Sequence, residues 1–461
     1  MNVQAGGSLL IDVERTQQGQ RLNDWVSVTR NVTFEQGGGI NPYVIGALRP
    51  GDTFKVIKAG GTVSGSPITI GDASPIRWSY LAGADGSPTM ETADADFRLP
   101  VRRSLTPTET AMLDAWQGAR EAGDVDASGF FGAIANADTI EDYDRAIDGA
   151  SPESQLQDAA ALTLDSQAAL SSALGCPAFS KAGSMLRETE CAWSKISHHR
   201  NETGSSAKGD GFTDRASTLS LGAQREIVPD WFLSGVLAFT DSDGNSDDFY
   251  TRTQSNSVNV SVAVKHQNGP WLFAAAAQLG YSDTTIRNTF DIGDDVWQAQ
   301  ASTDIITAAL RLRAAYEFAY PAWYLRPILD VDTVHTSMRG YDLSGGVFDM
   351  RVHDLDQWTF AAHPTLDAGL RIDTRGRSSL RLYSQAGLTL QSYGGLETRI
   401  TVHDDEKTAF EFTSTTALPD RMASLTCGAQ FMSHDRYECA ANTMRASART
   451  IRAKALLCAS P

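Results

Sequence analysis

The sequence predicts a mainly β protein: a Gly-rich, strand-like N-terminal part and a helical middle part lead into an antiparallel transmembrane β-barrel. Three observations carry this. From Cys191 onward apolar and polar residues alternate with a period of two over long stretches, longer than the about five or six residues of ordinary soluble strands. The apolar faces of these stretches carry aromatic residues near their ends. The connections between them are alternately short and long.

Composition sets the outer bounds. At 461 residues the chain has room for two or more domains. A formal charge of −17 argues against a general nucleic-acid binder, which needs a basic surface for phosphate. No apolar run approaches the roughly 18 residues of a membrane-spanning helix, and mean hydropathy is −0.25. Neither fact bears on a barrel, whose wall needs only every second residue apolar. Met1 is followed by "NVQAGGSLLIDVERT", with no basic start and no long apolar core, so no signal peptide is expected there. Five cysteines are too few for a disulfide scaffold and show no metal-ligand spacing.

Residues 1–104 contain short strand units, "SLLIDV", "WVSVTRNVTF" and "TFKVIKAGGTVSG", with turns at Gly37, Gly38, Gly39 and Pro42 and again at Pro50-Gly51. In residues 105–175, "LTPTETAMLDAWQGAR" and "SPESQLQDAAALTLDSQAALSSALG" read as helices. Ser151 suits the N-cap of the second, Pro152 its first position, Glu153 the positive end of its dipole and Gly175 its stop. Leu156, Ala160, Leu164 and Ala168 form one narrow apolar stripe, which fits a helix lying inside something wet.

Beyond Cys191, "SVNVSVAVKHQNG" sets Val258, Val260, Val262 and Val264 against Asn259, Ser261 and Lys265. "ITAALRLRAAYEFAY" sets Ile306, Leu310, Leu312, Tyr316 and Tyr320 against Thr307, Arg311, Arg313 and Glu317. "TFAAHPTLDAGLRID" sets Phe360, Leu366, Leu370 and Ile372 against His363, Asp367, Arg371 and Asp373. A soluble sandwich alternates too, but it does not place several strong charges per strand on its inner face; a water-filled lumen does. Trp231 with Phe239, and Trp271 with Tyr281, supply the interfacial girdles.

The tight links "EIVPD", "HQNGP", "YPA" and "DTRGR" alternate with longer polar ones, "HHRNETGSSAKGDG", "TDSDGNSDDF", "MRGYDLSGG" and "ITVHDDEKTAFEF". The short side is expected to be periplasmic. Ten strands fit between Cys191 and Asp435. The tenth, "ASLTCGAQF", runs into a further tight turn, "SHDRYE", but the Ala/Arg-rich residues that follow show no eleventh strand.

This arrangement is similar to the bacterial autotransporters of type V secretion, over nearly the whole chain to about Glu438. "LNDWVSVTRNVTFEQGG" and "LRPGDTFKVIKAGGTVSG" resemble the last rungs of a pertactin-like β-helix passenger. The stretch from "SPES" to "LGCP" resembles the segment that threads the pore. "ECAWSKI", "LSLGAQREIVPDWFLSGVLAF" and "SNSVNVSVAVKHQNGPWLFAAAAQLGYS" resemble the opening five strands of a translocator barrel. The resemblance implies a passenger end over 1–104, a linker and pore-threading helix over 105–190, a barrel over 191–438 and an aberrant tail over 439–461. It implies an outer-membrane location with the passenger at the surface. The implied partners are membrane lipid, the barrel-assembly machinery and the chain's own passenger; a monomer without cofactor, metal or enzymatic activity is expected. The family barrel resembles a twelve-stranded one ending in an aromatic residue, whereas this chain ends "LLCASP" with about ten strands.

Site readings are sparse. Cys176 and Cys191 bracket the junction of helix and first strand, and either a disulfide or two free thiols fits. Cys427 lies on lipid-facing parity, and Cys439 and Cys458 carry no role. "DSDGNSDD" (Asp241, Asp243, Asp247, Asp248) lacks the spacing of an EF-hand and reads as an acidic surface loop. His198-His199 is expected in an external loop, and no HExxH, GxSxG or phosphate-binding loop occurs. Arg311, Arg313, Glu317, Asp367 and Arg371 read as pore lining that contacts the helix.

The expected function is translocation of the chain's own N-terminal part. The alternatives are a porin-like channel, or an adhesin whose binding part lies outside these residues. A frameshift accounts for the C-terminus: codons permitted from Asn442 onward, read two nucleotides later, give Tyr-Asp-Ala-Ser-Phe-Gly-Glu-Asn-Tyr-Ser-Ser-Gln-Ser. On that reading the chain as written is a remnant that neither inserts nor closes. Re-sequencing the DNA for Arg436 to Pro461 and about a hundred nucleotides beyond tests the frameshift. The expected result is a one- or two-base correction that restores that segment and a terminal aromatic residue.

Overall fold

The structure, a computed structural model, describes all residues except 17, 70–72, 83–87, 123–127, 180–184, 205–210, 247–249, 293–294, 346–349, 374–377, 393–394, 403–409, 434–437, 448–450 and 461.

The N-terminal part is a stack of short parallel strands. Asn2–Val3 pairs with Val32–Phe34, which pairs with Val63–Ser64. Ser8–Arg15 pairs with Gly39–Ile45, and Val26–Val28 with Ile57–Ala59. Each rung contributes inward apolar residues to a continuous core that includes Val3, Ile11, Val13, Val32, Phe34, Ile40 and Ile57. This is how a solenoid buries faces that no single rung can bury alone. Asn136 finishes the edge beside Val44: its Nδ2 donates to the Val44 carbonyl and its Oδ1 accepts the Val44 N–H, both at 2.8 Å. The side-chain amide stands in for another strand.

Four helices follow: α1 (Pro107–Ala122), α2 (Ser128–Ala135), α3 (Ile140–Ala150) and α4 (Gln157–Ala173), the last preceded by a 3-10 turn at Pro152–Leu156. Thr139 and Asp142 form a reciprocal capping box at the start of α3, and Ser151 caps the 3-10 turn by accepting the Glu153 N–H. Phe97, Trp116, Phe130 and Phe131 pack edge-on or tilted among α1, α2 and the preceding chain. Burial pushes the Tyr143 hydroxyl well above its usual pKa, and it donates to the Phe97 carbonyl at 2.6 Å. Burial also works against the charge of Arg103, but its hydrogen bonds to Glu109 and the neighbouring Asp148 more than offset this, so its pKa lies above the ordinary value.

The barrel comprises β1 (Cys191–Thr203), β2 (Phe212–Val228), β3 (Trp231–Ser246), β4 (Thr251–Asn268), β5 (Trp271–Ile292), β6 (Asp295–Tyr316), β7 (Trp323–Met338), β8 (Leu355–Asp373), β9 (Ser378–Ser392) and β10 (Arg421–Ser433). These ten agree with the strands read between Cys191 and Asp435. The absence of an eleventh is corrected. β11 (Glu438–Ser447) pairs antiparallel with β10, β12 (Ile451–Ser460) pairs with β11, and β12 returns to β1 over Ala192↔Ser460 to Asn201↔Ile451. The sheet therefore closes on itself without a change of reading frame. A ladder is built from backbone N–H and C=O groups, so a segment of the right length pairs even where side-chain alternation is weak.

A second correction concerns the long links. Much of what reads as loop belongs to strands that continue past the apolar belt; β5 and β6 each run for 22 residues. His198 and His199 lie within β1, not in a loop. Above the belt the outward residues turn polar, while inward ones such as Ile286, Ala301, Ile305 and Met338 pack against the helical part. Tyr341–Leu343, Met350–Val352, Gly395–Val402 and Phe410–Ala417 form a separate four-stranded sheet at this end. Phe412, Leu396 and Ile400 of that sheet join the helical core.

Inside the barrel, three glycines sit beneath aromatic rings. A Cβ on Gly222 would lie 2.4 Å from the Trp193 ring, on Gly369 2.4 Å from Tyr324, and on Gly428 2.4 Å from Tyr383. Each pair spans two adjacent strands, so the ring lies flat against the wall. Deleting residues 448–461 is expected to abolish the folded, heat-modifiable form on electrophoresis, because β1 is then left with an edge facing lipid. Each backbone group so exposed costs several kcal/mol, on the order of the penalty for an orphaned polar group in hydrocarbon.

Candidate functional site, a helix seated in the barrel lumen

Alternation decides the wall's two faces: Val258, Val260, Leu310, Leu312, Leu366 and Leu370 point outward and are exposed, while Ser261, Lys265, Arg311 and Asp367 point inward and are buried. The lumen they face holds α4 and, beyond its C-terminus, the chain that leads to the first strand. The inner wall makes room for the helix with small side chains. Ala263, Ala274, Ala276 and Ala309 line the lumen beside Leu170, Ala173 and Leu174. A helix with its side chains is about 10–12 Å across, so bulky residues at these positions would exclude it.

Several of the contacts are neutral, two of them hydroxyl pairs. Ser154 Oγ meets Thr251 Oγ1 at 2.5 Å, Thr163 Oγ1 meets Thr336 Oγ1 at 2.7 Å, and Ser234 Oγ donates to the Ala173 carbonyl at 2.6 Å. Others involve charge. The buried Asp158 carboxylate accepts from Thr253 Oγ1 at 2.5 Å and Ser255 Oγ at 2.7 Å, and Arg311 donates to Ser171 Oγ. These contacts place the α4 N-terminus at the long-loop end of the barrel and its C-terminus at the tight-turn end.

At the tight-turn end a different chemistry takes over. Pro177–Phe179 and Leu186–Glu188 form a hairpin inside the barrel mouth. Lys265 Nζ lies 2.9 Å from Glu188 Oε2, both essentially inaccessible, and also donates to the Gly175 carbonyl at 3.0 Å. Gln224 adds a bond to Glu188 at 3.0 Å, and Gln267 accepts the Glu188 N–H at 2.8 Å. Cys176 and Cys191 are joined as a disulfide with Cα atoms 6.5 Å apart, tying the end of the helical segment to the start of β1.

The five charged residues singled out from sequence all face the lumen but do different things. Arg311 reaches α4 and pairs with Asp332, its Nε 2.6 Å from the carboxylate. Arg313 makes a two-point pair with Asp330 at 2.7 Å. Glu317 accepts the Leu186 N–H of the hairpin at 3.2 Å, and the Met185 N–H as well. Asp367 accepts from Tyr324 and Arg381, both at 3.1 Å. Arg371 lies over the Phe179 ring, 5.0 Å from its centroid. Of the five, only Arg311 touches the helix. Asp158, Lys265 and Glu188 were missed, because nothing in the period of either partner tells which residue of a helix meets which strand. Of the acidic stretch, Asp247 and Asp248 lie outside the described residues, as do the side chains of Cys439 and Cys458; Cys427 is an exposed free thiol.

A closed antiparallel barrel with an apolar outer belt and a polar lumen filled by its own upstream helix defines an outer-membrane β-barrel. A family model of the autotransporter β-domain matches residues 192–443, and the chain belongs to that family. The domain is one of transport, not catalysis. No curated protein matches this chain. Among solved structures it is similar to the translocator domain of autotransporter NalP from Neisseria meningitidis, with 13% identity over 66% of this chain and 97% of that one, and a TM-score of 0.48. It is also similar to the β-domain of the Bordetella autotransporter Brka (18% identity, 59% and 98% covered, TM-score 0.44). A further similar structure is the transport unit of AIDA-I from Escherichia coli (11% identity, 67% and 98% covered, TM-score 0.44).

The two kinds of contact should separate on mutation. Lys265→Met strands Glu188 in a buried site and is expected to cost about 3–5 kcal/mol. Thr336→Val removes one neutral partner of a hydroxyl that still bonds the Ala159 carbonyl, and is expected to cost about 1 kcal/mol or less. Denaturant unfolding of the detergent-folded protein measures both.

Proposed function

We propose that this outer-membrane translocator exports and displays the chain's own N-terminal part. In this reading residues 1–104 are the end of a β-helix passenger, 105–190 are the linker with its pore-threading helix, and the strands from Cys191 form the pore. The observation that carries it is the direction of α4: its N-terminus leads to the solenoid at the long-loop end, and its C-terminus joins β1 at the tight-turn end. A chain that has passed outward through its own pore is left in this arrangement.

The contact chemistry supports the same reading. Neutral hydroxyl pairs worth about 0.5–1.5 kcal/mol each hold a helix in place without binding it so firmly that passage stalls. The lumenal charges Arg313, Asp367 and Arg371 are spent on wall partners or on the hairpin, and Glu317 on the hairpin, so these four do not hold the helix. The Cys176–Cys191 bond and the Lys265–Glu188 pair then act as the fixed end of the linker. Passenger folding outside, rung upon rung, supplies directional pull. The chain works as a monomer whose own strands close the pore, delivered to the membrane by the barrel-assembly machinery. A porin-like channel is disfavoured by the occupied lumen.

The test is protease accessibility on intact cells producing the protein. Residues 1–104 are expected to be degraded from outside while the barrel is protected; protection of both until lysis would overturn the proposal.

A further inference from the structure

Midway along α4, three side chains from three elements converge. Asp165 of α4, His199 of β1 and Asp214 of β2 each place one ligand atom within 4.8 Å of the others. His199 Nε2 lies 3.1 Å from Asp165 Oδ1 and 3.9 Å from Asp214 Oδ2. Asp214 Oδ2 has no hydrogen-bond partner, and Asp214 is 3% exposed. A buried carboxylate oxygen left without a donor is costly, on the order of several kcal/mol, so something is expected to meet it.

We propose that this cluster is a divalent-cation site, of zinc type, that fastens the helix to the wall. The donor set of one imidazole nitrogen and two carboxylate oxygens suits zinc; bonds of about 2.1 Å in a tetrahedron set ligand atoms about 3.4 Å apart, and the separations here are 3.1 and 3.9 Å from His199, with the two carboxylates within 4.8 Å of each other. A water completes the fourth position. Once the ion has displaced the ligands' protons, its two positive charges balance the carboxylates of Asp165 and Asp214. Asp158, two turns earlier on the same face of α4, adds a third. The site also lies above the apolar belt: at its level the outward residues of β1 and β2 are His198, Arg200, Arg215 and Ser217, all exposed and polar. Asp165 and His199 keep partial exposure, so an ion can enter from the outer side. Sequence alone offered no such site, because the ligands are separated by 34 and then 15 residues and one of them is on the helix.

A cation here bridges the middle of α4 to two strands, away from the Lys265–Glu188 anchor beyond its C-terminus, so the seated helix is held at a second point. The site does not depend on passenger export. It is tested with the full-length, detergent-folded protein, stripped with chelator and titrated with Zn²⁺. About one equivalent should bind, with His199→Ala and Asp214→Asn each weakening binding by about tenfold or more and Asp243→Asn leaving it unchanged. Heat-modifiable migration checks that each variant folds. A second measurement needs no variant: Zn²⁺ should protect His199, but not the neighbouring His198, from acylation of its imidazole, read by mass spectrometry of the wild-type protein. No bound zinc, equal affinity in the ligand variants, or equal modification of His199 with and without zinc would each overturn the proposal.

Discussion

Everything in this molecule depends on the closure of one sheet. In hydrocarbon there is no water to satisfy a backbone N–H or C=O, so a strand exposed to lipid along one edge is not a viable structure. The β1–β12 pairing removes the last edge. Once the ladder is closed, the number of strands sets the bore, and the bore sets what can stand inside it. A column of inward alanines on β4, β5 and β6 then makes the space helical in shape. The same closure leaves inward polar groups to find partners within the barrel, from another wall strand, from the helix or from the hairpin.

The wall solves that problem in two ways. Strong charges are matched to one another or to the hairpin at the tight-turn end, where pairs such as Lys265–Glu188 and Arg313–Asp330 are short and dry. Along most of the helix the partners are serine and threonine hydroxyls, each able to donate or accept and to turn to a new partner. On the proposed function, a path lined in this manner offers similar small stabilisation to successive residues of a passing chain. Firm attachment is concentrated at the ends, through the disulfide and the buried ion pair at one and through the packed helical core at the other.

The barrel was legible because its signal is local. Whether Val260 or Leu310 faces lipid follows from parity once the period is seen, and neither residue needs a partner to be named. The end of the sheet was not legible for the complementary reason. β11 and β12 are held in register by backbone pairing to neighbours distant in the chain, and the residues from Glu438 to Ser460 carry little alternation to announce it. The strand extensions of β5 and β6 were hidden similarly, since their outward residues become polar above the belt and so read as loop. Parity assigns Arg311, Arg313, Glu317, Asp367 and Arg371 to one face of their strands, but which of these touches the helix depends on how far and at what rotation α4 enters.

By itself, then, the sequence determined the three-part order, the two faces of each long strand, the cap at Ser151 and the polarity of the lumen, because each of these rests on periodicity or on residues close in the chain. Tertiary structure alone decided that the sheet closes on its own terminal segment and that a mostly small-residue helix fills it. It also decided that Asp158 meets Thr253 and Ser255, and that Asp165, His199 and Asp214 share one small volume. Those outcomes rest on register and rotation between elements far apart in the chain, quantities that no local pattern encodes.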